Sequence, residues 1–140
     1  MNSFKLHRWF LVFLIMAVIC LSGGCSSGSG AITRLTLHSL VDEGTAPVVV
    51  DVRSGGEYAE GHIPGAIHIP FYSVGKRHAE ISSDKDSPVV VYCAHGPRAW
   101  WASFVLRRKG FSRVAILEGH FKKWQESGFI PDKKSTRFFE

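Results

Sequence analysis

One cysteine lies at a point of the chain where a nucleophile could work, within the stretch VVVYCAHGPR at residues 89–98. Residues 89–92 form a β-branched and aromatic run after Pro88, which is typical of a strand buried on both faces in a parallel sheet. Cys93 follows directly, and open α/β sheets bind ligands outside the carboxyl ends of their strands. Cys93 is therefore the first candidate for a catalytic nucleophile.

The six residues from Cys93 to Arg98, called the cysteine loop from here on, could stabilise a negative charge. Residues 99–109 beyond the loop are good helix formers and stop before a glycine, so a helix is predicted there. Backbone amides and the positive end of a helix dipole stabilise a thiolate, which makes the sulfur a stronger nucleophile at neutral pH. The same amides could hold a bound anion.

Four residues of the cysteine loop are candidates for binding an anionic substrate: Ala94, His95, Gly96 and Arg98. Arg98 can supply a fixed positive charge with a forked set of donors, or it can pair with a carboxylate such as Glu60 and brace the loop. His95 either helps to bind the substrate or is an exposed loop residue. The sequence leaves both alternatives open.

A second run of buried-strand type, residues 48–52, contains an acid and is followed by a base. Parallel strands bring their carboxyl ends to one edge of the sheet, so Asp51 and Arg53 are expected to support the site. A structural ion pair is the favoured role for Arg53. Asp51 is expected to brace the cysteine loop rather than to act as an acid, because a carboxylate beside a thiolate disfavours the thiolate charge.

Two tryptophans and two histidines need an interpretation of their own. Trp100 and Trp101 follow the cysteine loop, and we expect one of them to wall the substrate pocket and the other to pack in the core. His62 and His68 have no second set of ligands at metal-binding spacing, so neither a metal nor a cofactor is expected.

The first residues of the chain are typical of an export signal. Lys5 and Arg8 precede an uncharged apolar run at residues 10–21, which is shorter than the roughly 20 residues that span a bilayer. The following LSGGC resembles a bacterial lipoprotein box, in which the cysteine receives lipid, although Ser22 stands where leucine is typical. We expect a lipoprotein-type signal peptide at residues 1–24 and lipidation of Cys25.

Residues 25–31 are expected to be a flexible serine and glycine linker behind the lipidated cysteine. Ser26 rather than aspartate follows Cys25, which by resemblance to lipoproteins of diderm bacteria favours an outer-membrane protein facing the periplasm. With Cys20 removed and Cys25 lipidated, Cys93 would be the one free thiol in an oxidising compartment. A lone cysteine is often an inert buried residue, but the loop that follows favours a reactive one.

Composition limits the other partners. A chain of 140 residues with 45% hydrophobic content has room for about one globular domain. The net charge of +5 is mild, and no block of lysine and arginine is long enough to follow a phosphate backbone, so nucleic acid is not expected as a partner. Residues 131–140 lack periodicity and are expected to form a surface strap or a frayed end.

Four motifs occur in an order that resembles the rhodanese domain: VVVDVR, GHIPGAIHIP, VVVYCAHGPR and FSRVAILEGHFKKW. The similarity predicts such a domain over residues 32–130. It implies an α/β fold with a five-stranded parallel sheet flanked by helices. It also implies sulfur transfer through a persulfide on a cysteine, which here would be Cys93.

The leading hypothesis is therefore a sulfurtransferase. Cys93 would take a sulfane sulfur from a small anionic donor, thiosulfate or a persulfide, and pass it to a thiol or to cyanide. Thiosulfate as the donor is implied by the resemblance alone. The alternative is a rhodanese-like binding or sulfur-carrier module that serves one protein acceptor with little turnover on small molecules.

A phosphatase or arsenate reductase on a related fold is a third hypothesis. Loops of that kind place five residues between cysteine and arginine, whereas Cys93 and Arg98 enclose only four. A tetrahedral oxyanion would be cramped in the shorter loop.

Two residues depart from the family pattern. Pro97 removes one backbone donor from the cysteine loop, although proline suits the first position of a helix. His120, in LEGHFKKW, stands where the second of two glycines is common. Since only glycine adopts a positive φ at low cost, we expect an altered turn after Leu117, with a greater effect on substrate fit than on the fold.

Overall fold

The computed structural model describes residues 30–132. The expected signal peptide, Cys25 with linker residues 26–29, and tail residues 133–140 lie outside the described residues. Within residues 30–132, no helix has the length and apolar character needed to cross a membrane.

Five parallel strands form one sheet: β1 (Ala31–Ile32), β2 (Val48–Asp51), β3 (Ile67–His68), β4 (Val89–Tyr92) and β5 (Val114–Leu117). Their order across the sheet is β1-β5-β4-β2-β3. The strand that delivers Cys93, β4, is thus central, with β2 on one side and β5 on the other. The expected α/β class with a five-stranded parallel sheet is confirmed.

In the described part of the chain, five helices flank the sheet: α1 (Arg34–Asp42), α2 (Gly55–Glu60), α3 (Val74–Arg77), α4 (Pro97–Arg108) and α5 (His120–Glu126). Single turns of 3-10 helix lie on both sides of α3, at Phe71–Ser73 and His78–Glu80. Helix α4 begins two residues earlier than predicted, because Pro97 lacks an N–H that the first turn of a helix would leave unpaired.

Both faces of the sheet are covered, which explains why its central strands are continuous apolar runs. Neighbouring residues of a strand point to opposite faces. Val50 and Val91 belong to a cluster that includes Leu106 of α4. Val49 and Val90 belong to the other cluster, which includes Trp124 of α5. The sheet is therefore the middle layer of three, and its carboxyl edge is where loops can form a site.

Trp100 and Trp101 both face solvent, with 63% and 47% of their surface exposed, so the expectation that one packs in the core is wrong. With Phe104 they form an aromatic stripe on α4, in which the ring of Phe104 lies 6.2 Å from that of Trp100 and 5.8 Å from that of Trp101. The buried residues of α4 are small or lie three to four positions apart: Ala99, Ala102, Ser103 and Leu106.

Candidate active site

Cys93 lies at the carboxyl end of β4, almost fully buried at 1% exposure, and it is a free thiol. Its Sγ accepts a hydrogen bond of 3.0 Å from the backbone N–H of Gly96. This donor favours the charged form of the sulfur, because hydrogen bonds to an ionised group are stronger than those to a neutral one. The cysteine loop thus carries a candidate nucleophile together with a backbone donor aimed at its sulfur.

Gly96 has a backbone conformation that only glycine adopts readily, with φ 128° and ψ −55°. Its carbonyl accepts a 3.0 Å hydrogen bond from the N–H of Trp100, the first such bond of α4. Pro97 occupies the first helical position, where its missing N–H removes no helical bond. The loop therefore turns sharply at Gly96 and enters α4 at once.

Arg98 forms a bidentate ion pair with Glu57 of α2, with N–O distances of 2.7 and 2.9 Å. Its partner is Glu57 rather than Glu60, because Glu57 is fixed at the start of α2 by a capping box with Ser54. The pair uses one N–H of each terminal nitrogen of Arg98, out of the five N–H donors that a guanidinium carries. Arg98 therefore braces the cysteine loop against α2.

The charge of Glu57 is strongly stabilised. Hydrogen bonds from Arg98 hold the pKa of Glu57 well below its usual value, and the backbone and side-chain bonds from Ser54 lower it further. The same pair raises the pKa of Arg98, and the charge of Cys93 contributes to that rise. Arg98 is thus a permanent cation whose field reaches the sulfur of the cysteine loop.

Asp51 and Arg53 form a buried ion pair, in which the shortest N–O distance is 2.6 Å. Among residues 30–132, the carboxylate of Asp51 has no hydrogen bond to the cysteine loop, so any bracing by Asp51 is indirect. It accepts instead from the hydroxyl of Tyr92, the residue before Cys93, at 2.7 Å. Burial and the charge of Asp51 raise the pKa of Tyr92, so this hydroxyl remains a donor. Asp51 therefore supports β4 one residue before the nucleophile.

Arg53 has a second set of contacts beyond its carboxylate. It donates to the carbonyl of Gly61 at 2.6 Å, and its guanidinium lies 3.8 Å above the centre of the Phe121 ring. These contacts leave it 4% exposed. A cation over an aromatic face adds to the ion pair, and Arg53 thereby joins β2, the loop at Gly61 and α5.

A cavity of about 260 Å³ opens beside the cysteine loop. Two of the predicted loop residues, Ala94 and His95, line it, and so does Arg53; Gly96 and Arg98 are not among its lining residues. The other lining residues come from α2, the loop after it and α5: Glu57, Glu60, Gly61, Phe121, Lys122 and Gln125. A larger depression of about 620 Å³, near Trp124 and Phe129, includes no residue of the cysteine loop.

His120 adopts a left-handed backbone with φ 54°, and in residues 30–132 it is the one non-glycine residue with a positive φ. In the turn after Leu117, His120 thus adopts the backbone conformation that is typical of glycine at this position. The next residue, Phe121, donates its N–H to the carbonyl of Cys93 at 3.0 Å. The expected alteration of this turn is therefore not seen in its backbone, and sequence reasoning did not place the turn beside Cys93.

His62 and His68 each lie within hydrogen-bond distance of a backbone carbonyl. Nδ1 of His62 lies 2.9 Å from the carbonyl of Tyr58, and Nε2 of His68 lies 3.0 Å from the carbonyl of Arg53. Residues 30–132 contain no cluster of three or more histidine, cysteine or acidic side chains that could hold a metal ion.

Known proteins resemble this chain over the region just described. A family model for the rhodanese-like domain matches residues 33–127. A sulfurtransferase of Allochromatium vinosum is 37% identical over 81 residues, which cover 58% of this chain and 74% of the relative. Thiosulfate sulfurtransferase GlpE of Pseudomonas entomophila is 39% identical over 82 residues, covering 57% of this chain and 72% of the relative.

A solved structure gives the same relationship. The human single domain sulfurtransferase TSTD1 is 27% identical, with a TM-score of 0.62, and the match covers 71% of this chain and 97% of that one. The family match spans most of the described residues and includes the loop that carries Cys93. This chain therefore belongs to the rhodanese-like domain family.

Proposed function

We propose that this protein is a sulfurtransferase that carries sulfur as a persulfide on Cys93. The observation that carries the proposal is the hydrogen bond from the N–H of Gly96 to Sγ of Cys93, in a loop whose residues Ala94 and His95 line a small cavity. A backbone N–H aimed at the sulfur favours the thiolate, which is the nucleophilic form of a cysteine. The relatives named sulfurtransferase support the same reaction class.

The reaction has two steps in which sulfur moves and electrons balance. The Cys93 thiolate attacks the sulfane sulfur of the donor, the donor's S–S bond breaks, and its electron pair leaves with the rest of the donor, as sulfite when the donor is thiosulfate. An acceptor thiolate or cyanide then attacks the outer sulfur, and the Cys93 thiolate is released. The N–H of Gly96 stabilises the sulfur charge at the beginning and end of the cycle.

We further propose a small anionic donor, thiosulfate or a persulfide. The cavity of about 260 Å³ has room for a molecule of that size, and Lys122 supplies a cation on its wall. Arg53 also lines this cavity, but it is buried in its ion pair with Asp51, so Lys122 is the more exposed cation on the wall. The relative named thiosulfate sulfurtransferase supports this donor.

Intact-mass measurement tests the proposal directly. The full chain, purified in detergent, is treated with excess thiosulfate and compared with Cys93→Ser. We expect wild type alone to gain one sulfur atom, and to lose it to cyanide with release of thiocyanate. An unchanged mass after thiosulfate and after a small organic persulfide would refute the proposal.

A second function, transfer to one protein partner, is favoured by the aromatic stripe of α4. Trp100 is 63% exposed, and α4 begins inside the cysteine loop, so a protein bound to the stripe would lie beside Cys93. Exposed tryptophan and phenylalanine are common at sites of protein contact. Rapid loss of the Cys93 persulfide to a protein thiol, with slow loss to small thiols, would support this function; Trp100→Ser should slow only the former.

We also propose that the protein is anchored to a membrane by lipid on Cys25 and faces the periplasm, at the outer membrane. The basic start, the apolar run at residues 10–21 and the LSGGC sequence support this proposal. Metabolic labelling with a clickable fatty acid tests it. We expect label on wild type and none on Cys25→Ala; equal labelling of both would overturn it.

A further inference from the structure

His120 contacts the cysteine loop at the residue that donates to the nucleophile. A Cβ atom built on Gly96 would lie 3.0 Å from Nε2 of His120, closer than side chains normally approach. The imidazole therefore covers the open side of Gly96. The N–H of Gly96 donates to Sγ of Cys93. In space, Gly96 therefore links the ring of His120 to the sulfur.

The backbone beside His120 is fixed to the same loop. Phe121 donates its N–H to the carbonyl of Cys93 at 3.0 Å. The first turn of α5 thus meets the loop at two places, the carbonyl of Cys93 and the open side of Gly96. This double contact fixes the position of the imidazole relative to the loop.

Neither charge nor hydrogen bonding accounts for the imidazole at this position. Burial lowers the pKa of His120, and the nearby His95 lowers it further, so the ring is neutral at neutral pH. Its Nδ1 is buried and has no hydrogen-bond partner among residues 30–132. We therefore look for the role of the ring in its packing contact with Gly96.

The peptide between His95 and Gly96 needs such a contact. Glycine has the widest conformational freedom of any residue, and φ 128° lies in a region that other residues rarely enter. Rotation of this peptide would turn the N–H away from Sγ and bring the carbonyl of His95 towards it. A carbonyl oxygen beside a thiolate disfavours the thiolate charge.

We propose that His120 is a positioning residue, whose ring holds the peptide before Gly96 with its N–H towards Sγ of Cys93. This inference rests on the proposed sulfur-transfer function, because that function is what a positioned N–H would serve. The reactivity of the Cys93 thiol can nevertheless be measured without sulfur transfer. The residue acts through Gly96, and among residues 30–132 its ring has no hydrogen bond to Sγ of Cys93.

The test is the pH dependence of Cys93 alkylation by iodoacetamide in the full chain, with the Cys93 peptide quantified by mass spectrometry. In His120→Gly we expect the midpoint of the profile to rise by about one pH unit, the size expected when a charged sulfur loses one hydrogen bond. The melting temperature should stay equal or increase, because glycine adopts the positive φ without strain.

Two further variants separate contact from other effects. His120→Gln should have the same midpoint of Cys93 alkylation as wild type, because the glutamine amide nitrogen reaches about as far as Nε2 of histidine but does not titrate. His78→Ala, a histidine in the 3-10 turn after α3, should leave the midpoint unchanged.

The proposal would be overturned if a folded His120→Gly protein had the midpoint of wild type. It would also be overturned if the midpoint of His120→Gln were as high as that of His120→Gly. If His120→Gly melts well below wild type, His120→Asn decides in its place, since asparagine tolerates positive φ but is too short to reach Gly96. A shifted midpoint in a protein that forms no persulfide would refute the proposed function and leave this inference standing.

Discussion

Arg98 and Glu57 face each other as a bidentate ion pair that joins the cysteine loop to α2. Because the pKa of Glu57 is held below its usual 4.5, the pair stabilises the fold fully above that pH, and the stability is lost as pH falls from 4.5 towards the lower native value. Glutamine at position 57 would keep the capping box with Ser54 and remove the charge.

We therefore expect the difference in melting temperature between wild type and Glu57→Gln to be constant from about pH 5.5 to 8 and to shrink below about pH 4.5. Thermal melts across that range measure it. Glu80→Gln, which removes the carboxylate of the exposed pair with Arg77, is the control and should have a smaller effect near neutral pH. A difference that persists unchanged at pH 3 would contradict the assignment.

Alanine at position 96 should disable the cysteine loop. A Cβ there would lie 3.0 Å from Nε2 of His120, on a backbone with φ 128°. We expect a loss of about 1–3 kcal/mol in the free energy of unfolding, together with at least tenfold slower persulfide formation. Urea unfolding and timed mass spectrometry provide the two measurements.

Gly56 is the matched control for that substitution. It lies in α2 without a positive φ and with no atom within 4 Å of a Cβ. Gly56→Ala should therefore raise the free energy of unfolding by about 0.5 kcal/mol and leave persulfide formation unchanged. Equal behaviour of the two alanine variants would show that Gly96 is not constrained as described.

Removal of the charge of Asp51 should cost far more than removal of an exposed carboxylate. Asp51→Asn would leave the buried guanidinium of Arg53 without a counter-charge, and we expect a loss of about 3–5 kcal/mol in the free energy of unfolding. Asp42→Asn, in the exposed pair with His38, should change it by less than about 0.5 kcal/mol. Denaturant titration decides, and similar losses for both would refute the structural role of Asp51.

The four tryptophans of the chain include a pair with opposite surroundings. Trp124 is buried in the core cluster against Tyr92 and Leu37, whereas Trp100 is largely exposed. Trp124→Ala should lower the free energy of unfolding by about 3–5 kcal/mol, and Trp100→Ala should change it by less than about 0.5 kcal/mol. A large loss for Trp100→Ala would mean that the aromatic stripe is covered.

Periodicity was sufficient to predict the centre of the fold but not its margins. Val48 to Val50 and Val89 to Val91 are unbroken apolar runs, and runs of that kind occur where both faces of a strand are buried. Strands β1 and β3 are two residues long. Two residues show no period, so their pairing is decided by the neighbouring strand and cannot be read from the sequence.

In the candidate site, too, some contacts could be predicted from the sequence and others could not. Cys93 and Gly96 are three residues apart, and their relationship follows from a strand, a turn and a helix in succession. Glu57 and Arg98 are separated by 41 residues, and only the fold brings them together. The Ser54-x-x-Glu57 sequence did mark the start of a helix, and that signal could have identified Glu57 as a fixed carboxylate on the active edge.

The two short strands also lie at the outer edges of the sheet. An unpaired edge is a template on which strands of other molecules can add, and long exposed edges promote aggregation. Edges of two residues offer few backbone groups for such pairing. Copies of this domain can therefore be crowded together, at high expression or on a surface, with little tendency to merge their sheets into intermolecular β structure.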